Sequence, residues 1–349
     1  MSPPSGDVPS AVIFGCAGND LTPDEAALFR TVNPLGFILF RKNCETPEQV
    51  RRLVAKMRDT VGRTDAPVLI DQEGGSVRRL CPPHWDNVPP AALFGAMYSR
   101  DRKRAGEAAE LAGRLIAAQL TPLGISVTCA PVLDVSFADT TAAIGDRALS
   151  ADPAVIVELA RAFCDGLFAG GVLPVAKHMP GHGRATVDSH LDVPRVTATA
   201  DALRESDFVP FRALAWLPLA MTAHVVYEAL DSDNVATVSK AVIGEIIRGE
   251  IGFGGFLMTD DIGMGALDGD MATRCGAALA AGCDAILHCS GDYDEMQAVG
   301  AVVPPLTAAA QRRWLAAAAH VLPTAGTMAA AELSRQLSEL IERVGMGDS

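Results

Sequence analysis

A chain of 349 residues, 49% hydrophobic and 20% charged, can bury a sizeable core as two domains or as one large α/β domain. Its formal net charge of −13 and isoelectric point near 5.0 argue against nucleic acid or an anionic membrane as partner. The longest apolar stretch, residues 213–226, is broken by Pro218 and His224 and falls well short of a membrane span.

Residues 1–10 are polar, hold three prolines and lack a basic segment leading into an apolar one, so they are expected to be a disordered lead-in. From there short apolar runs alternate with helix-like stretches. The strand candidates are residues 11–15, 36–40, 68–71, 126–129, 172–176, 219–222, 255–259 and 284–288. Amphipathic or alanine-rich stretches at 47–61, 107–120, 153–169 and 240–248 predict helices between them. Thr22-Pro23-Asp24-Glu25 and Thr46-Pro47-Glu48-Gln49 place Thr at the cap, Pro at the first helical position and Glu or Gln at the third. Gly124, Gly170-Gly171 and Gly252 fall where helices should stop.

Continuous apolar strands alternating with helices mean a parallel sheet covered on both faces. Repeated in this way with no low-complexity linker, they predict an α/β fold with a single (β/α)₈ TIM-type barrel over residues 11–304. Residues 305–349, rich in Ala, Leu, Glu and Arg, are expected to add C-terminal helices packed on that barrel. The eight cysteines are scattered, without a C-x-x-C pair, and most sit in apolar runs (Cys129, Cys164, Cys275, Cys283). Such thiols suit a reducing compartment, which places the protein in the cytoplasm.

Barrel enzymes build their sites at the C-terminal strand ends. Polar residues gather there: Asp71, Asp134, Lys177-His178, His224, Asp260-Asp261 and His288. The densest group is Lys177-His178-Met179-Pro180-Gly181-His182-Gly183, followed by Asp188-Ser189-His190. Titratable groups on a Gly/Pro loop at a strand end point to chemistry more than to packing. A carboxylate near an imidazole holds one ring nitrogen and leaves the other able to exchange a proton near neutrality. An isolated D-x-H is a loop turn; the neighbouring His182, Lys177 and glycines favour function here.

In Gly255-Phe256-Leu257-Met258-Thr259-Asp260-Asp261 successive residues face opposite sides of a strand, so the two carboxylates cannot aim at one atom. One suits a nucleophile or charge stabiliser and the other a structural role such as capping the next helix; the pattern does not assign them. Asp71-Gln72-Glu73-Gly74-Gly75, with Arg78 and Arg79 beyond, offers carboxylate and guanidinium groups suited to sugar hydroxyls, against the alternative of a surface ion pair. Ile144-Gly145-Asp146-Arg147 is a further polar loop. His178, His182 and His190 also raise a metal site. Against it, Pro180 and Gly181 prevent the helical i, i+4 pair that would converge the first two.

At this point the residues resemble a family. Val175 to Gly183 with Asp188-Ser189-His190 is similar to the K-H-F-P-G-H-G … D-S-H signature of family 3 glycoside hydrolases, in particular the cytoplasmic β-N-acetylglucosaminidases of peptidoglycan recycling. Gly36-Phe37-Ile38-Leu39-Phe40, Asp71 to Gly75, Ala130-Pro131-Val132-Leu133-Asp134, Ala223-His224-Val225-Val226-Tyr227 and Thr259 to Met264 look like further landmarks in the family's order. The resemblance implies that Asp260 is the nucleophile of a glycosyl-enzyme intermediate, His190 the general acid/base and Asp188 its dyad partner. It implies that Asp71, Arg79, Arg147, Lys177 and His178 grip the sugar, with no metal or organic cofactor. The substrate it implies is a muropeptide ending in β-N-acetylglucosamine on anhydro-N-acetylmuramic acid. The chain is expected to be a monomer or weak homo-oligomer. Three departures stand out. Met179 replaces the common Phe, Ser76 stands where Arg is frequent, leaving Arg79 as the cation, and the loop around Arg147 varies. The competing readings are a β-glucosidase or phosphorylase on the same scaffold, a metal-dependent barrel hydrolase, and a non-catalytic sugar-binding protein.

Overall fold

The structure is a computed structural model that describes residues 8–189, 192–321 and 328–345. Most of the expected lead-in, residues 1–7, lies outside the described residues. In chain order the strands are β1 (Ser10–Phe14), β2 (Pro34–Leu39), β3 (Val68–Ile70), β4 (Val127–Thr128) and β5 (Leu173–Met179). They continue with β6 (Arg195–Val196), β7 (Leu219–Thr222), β8 (Val226–Tyr227), β9 (Phe256–Asp261) and β10 (Ala285–His288). Eight of these close into a parallel barrel in the order β1-β10-β9-β7-β5-β4-β3-β2. The fold is a (β/α)₈ TIM-type barrel. The short parallel ribbon of β6 and β8 has no counterpart among the sequence expectations, because two-residue strands leave no periodic signal.

Two strands run further than their apolar runs. β5 reaches Met179, which pairs with Thr222 of β7, while Leu133 N donates to Lys177 O at 2.7 Å and Ala223 N to Met179 O at 2.7 Å. Lys177 and His178 therefore sit on the strand and not on the loop predicted for them. β9 likewise carries both Asp260 and Asp261.

Helices fill the connections. Pro47–Val61 and Pro153–Ala169 have the predicted bounds. Arg102–Leu120 starts earlier than expected, capped by the Asp101 side chain, which accepts from Arg104 N. The 240–248 stretch becomes a wide π-type helix, Val242–Glu250. Thr22 and Glu25 form the full reciprocal capping box. At the next helix Thr46 caps Gln49 N, but the Gln49 side chain takes Glu45 N, one residue before the cap.

The alternation of a strand sorts the core into two parts. Ile13, Leu69, Val175, Met221, Met258 and Leu287 point into the barrel, and Val12, Phe14, Ile70, Ala176 and Leu257 pack outward beneath the helices. The bottom of the barrel is closed by the helix Ala308–Ala318. Leu306, Ala310 and Ala317 join the interior cluster, Trp314 meets Phe256 edge-on at 5.5 Å, and Arg313 and Arg248 both bind the buried Asp284. A last helix, Ala330–Arg343, lies on Arg102–Leu120. Among the described residues no helix is long and apolar enough to cross a membrane.

Candidate active site

Strand parity explains which polar groups reach the open end. Asp71, Lys177 and Asp260 each stand two residues after an inward-facing one (Leu69, Val175, Met258), so their side chains continue the interior column to the mouth. Phe40 and Cys289 follow Ile38 and Leu287 in the same way. There they line a cavity of about 320 Å³ together with Arg79, Arg147, His178, His182, Asp188 and Ser189. The catalytic and sugar-gripping residues implied by the resemblance all line this one cavity, save His190, which lies outside the described residues; Asp134, His224 and His288, also expected at the strand ends, do not line it.

One wall is a chain of alternating charges. Arg79 Nη2 donates to Asp71 Oδ2 at 2.9 Å, and Lys177 Nζ lies 3.1 Å from Asp71 Oδ1 and 2.6 Å from Glu73 Oε1. Glu73 then takes both arms of Arg147, Nε to Oε2 at 2.9 Å and Nη2 to Oε1 at 2.8 Å. Burial alone would raise the Asp71 and Glu73 carboxyls, but Lys177, with Arg79 at the first and Arg147 at the second, outweighs it and holds both below their usual range. Burial would likewise lower the Lys177 ammonium, yet Glu73 and Asp71 hold it above its ordinary value. Asp71, Glu73 and Lys177 are thus held in their ionised forms at neutral pH. Arg79 also stacks on Phe40, with 5.1 Å to the ring centroid. Ser76, at the position where arginine was expected by resemblance, binds Asp146 instead at 3.1 Å.

Asp260 and Asp261 divide as parity requires. Asp261 Oδ1 accepts from Gly263 N and Cys289 N, both at 3.1 Å, and burial raises its carboxyl in spite of those bonds. It is the structural member of the pair. Asp260 Oδ1 accepts Asp261 N at 2.8 Å; burial would raise its carboxyl, but the His178 and His224 rings and that backbone donor hold it low. The result is an ionised carboxylate on the inner face of the mouth.

The histidines are each fixed by a different partner. His178 Nδ1 lies 2.7 Å from Asp134 Oδ2, and the other oxygen of Asp134 takes the His178 and His182 backbone N–H groups. His224 stands behind the aspartate pair, its Nε2 2.9 Å from Asp261 O and its Nδ1 2.7 Å from Thr237 Oγ1. Burial lowers its pKa. His182 meets His178 edge-on at 5.6 Å and Ser189 Oγ at 3.3 Å, and burial with His178 alongside pushes its ring down to about 4. His288, grouped with the mouth residues by sequence, faces outward and pairs with Glu295 at 3.0 Å. Among the described residues no three His, Cys, Asp or Glu side chains group as a metal site, and His190 of the metal reading lies outside them.

The sequence places Asp134 among the strand-end polar residues and Glu73 in an acidic run, without a specific role for either, yet each holds two other site groups. Their signal was weak, since both follow the end of their apolar run and parity cannot be projected past a strand.

The family model for the glycosyl hydrolase family 3 N-terminal domain matches residues 23–323. The chain belongs to glycoside hydrolase family 3. A β-hexosaminidase of Alkalilimnicola ehrlichii is 38% identical over 283 residues, covering 80% of each chain. One of Pseudomonas aeruginosa is 38% identical and covers 80% of this family 3 chain and 82% of its own. NagZ from Neisseria gonorrhoeae, solved in complex with N-trifluoroacetyl-D-glucosamine, superposes with a TM-score of 0.85 at 29% identity, covering 98% of this chain and 99% of that one.

Proposed function

We propose that this β-N-acetylhexosaminidase cleaves terminal, non-reducing β-N-acetylglucosamine from muropeptides that carry anhydro-N-acetylmuramic acid, through a glycosyl-Asp260 intermediate. The observation that carries the reading is the division of labour at the end of β9. Asp261 is occupied by backbone donors, and Asp260 presents an ionised carboxylate to a cavity that Asp188 also lines.

In the first step an Asp260 oxygen attacks the anomeric carbon as the bond to the leaving oxygen breaks, and His190, supported by Asp188, gives that oxygen a proton. In the second, neutral His190 takes a proton from water as water attacks the same carbon and releases Asp260. A histidine needs less tuning than a carboxylic acid for this exchange, because its ordinary pKa already lies near neutrality. The wall of Asp71, Arg79, Lys177 and Arg147, with His178, offers donors and acceptors to the ring hydroxyls and the acetamido group. Asp71 and Glu73 offset two of the three cations in that wall, leaving one net positive charge opposite the Asp260 carboxylate.

The test is release of nitrophenol from 4-nitrophenyl β-N-acetylglucosaminide in the presence of a chelator. Wild type should be active, and Asp260→Ala should lose on the order of a thousand-fold or more. An inactive wild type that recovers on adding a divalent metal would refute the metal-free mechanism.

A further inference from the structure

The stem of the loop that carries Asp188 is held from several sides. Tyr227 Oη donates to Gly181 O at 2.7 Å, Thr140 Oγ1 to Gly183 O at 2.6 Å and Thr141 N to Ala185 O at 2.9 Å. Arg184 adds a clamp of its own. Its guanidinium stacks on Phe137, 4.1 Å from the centroid, while Nε donates to Asp207 Oδ2 at 2.8 Å and Nη2 to Ser206 Oγ at 3.0 Å.

Ser206 and Asp207 end the π-type helix Leu203–Asp207, and Ser206 Oγ braces Asp207 Oδ2 at 2.6 Å. Asp207 is 1% exposed, and its Oδ1 has no hydrogen-bond partner among the described residues. A buried carboxylate with an unmet oxygen is costly, so its retention beneath a loop stem points to function. On the far side the chain is fixed again, where Val226 N donates to Pro194 O and Glu228 N to Val196 O. After the first of these posts Asp188 lines the cavity and Ser189 lies against His182.

We infer that Arg184, clamped by Asp207 and Ser206, is a positioning residue that sets where the Asp188 carboxylate stands over the cleft. It thereby governs the proton-transfer half of the reaction and not the attack by Asp260. The inference rests on the reading that this loop carries the acid/base pair. Arg184→Ala alone leaves Asp207 uncompensated, so the double variant Arg184→Ala/Asp207→Asn, which removes both charges, accompanies it together with Arg184→Lys.

The readout is kcat/KM on 2,4-dinitrophenyl and 4-methoxyphenyl β-N-acetylglucosaminides, whose leaving groups differ in their need for a proton. Arg184→Ala and the double variant should lose about tenfold or more on the methoxyphenyl substrate and less than about threefold on the dinitrophenyl one. The double variant should regain the melting temperature lost by the single without regaining that selectivity, and Arg184→Lys should fall between. Equal losses on both substrates, or none on either, would overturn the positioning role. Asp188→Ala is measured alongside. If it shows leaving-group dependence and the Arg184 variants do not, the clamp alone fails; if Asp188→Ala shows none, the acid/base reading fails with it.

Discussion

Glu73 joins Lys177 to Arg147 with nearly all of its side chain buried, so it organises two cavity-lining cations without lining the cavity itself. Glu73→Gln should lower folding stability by about 3 kcal/mol, the usual consequence of breaking a buried ion pair. It should also raise KM about tenfold with little change in kcat, because the loss falls on binding rather than on attack. Chemical denaturation and a Michaelis curve check the two halves. His182 makes a pH prediction. Its ring is pushed from 6.5 down to about 4 by burial and by His178, so the unfolded chain takes up this proton at higher pH than the folded one. Stability should therefore fall as pH drops from about 6.5 to about 4, by about 3 kcal/mol from this group, with His224 acting in the same direction. His182→Gln should flatten that slope; an unchanged slope would place the sensitivity elsewhere. At this scale the sequence was readable wherever a residue sat within two positions of an inward strand residue. Asp71, Lys177 and Asp260 stood out as polar residues at strand ends, with their roles implied by the family resemblance. The bridging roles of Glu73 and Asp134 were not legible, because they depend on where a non-repetitive turn sends the side chain.

Among the elements, β5 and its continuation do the most for the site. Gly183 passes so close to the neighbouring chain that an added Cβ would lie 1.8 Å from Val135 O, a backbone atom that cannot swing aside. Gly183→Ala should displace the stem of the Asp188 loop and cut kcat/KM by about a hundredfold, with a lower melting temperature. Retained activity with an unshifted melting temperature would show that the contact is relieved at no cost. All eight barrel strands were visible as apolar runs, since both faces of a parallel barrel are buried and no polar alternation interrupts them. The ends of β5 and β9 were hidden because the residues that extend them are the polar site groups themselves. The pattern that marks a buried strand stops where function begins.

For the whole molecule, the helix Ala308–Ala318 seals the end of the barrel opposite the cavity, so its packing contributes stability away from the candidate site. Trp314→Ala, which removes a half-buried ring from Phe256, should cost about 2 kcal/mol of stability and leave KM unchanged. A KM shift would mean that the seal reaches the mouth. At the other end Asp260 is proposed to form a covalent bond to the sugar. The direct measurement is intact and peptide mass spectrometry after incubation with a 5-fluoro-β-N-acetylglucosaminyl fluoride, whose fluorines slow release of the glycosyl-enzyme. One added fluoroglycosyl mass is expected on the peptide bearing Asp260, lost in Asp260→Ala. A glycosyl mass on another residue, or steady turnover with inversion at the anomeric carbon and no adduct, would contradict it.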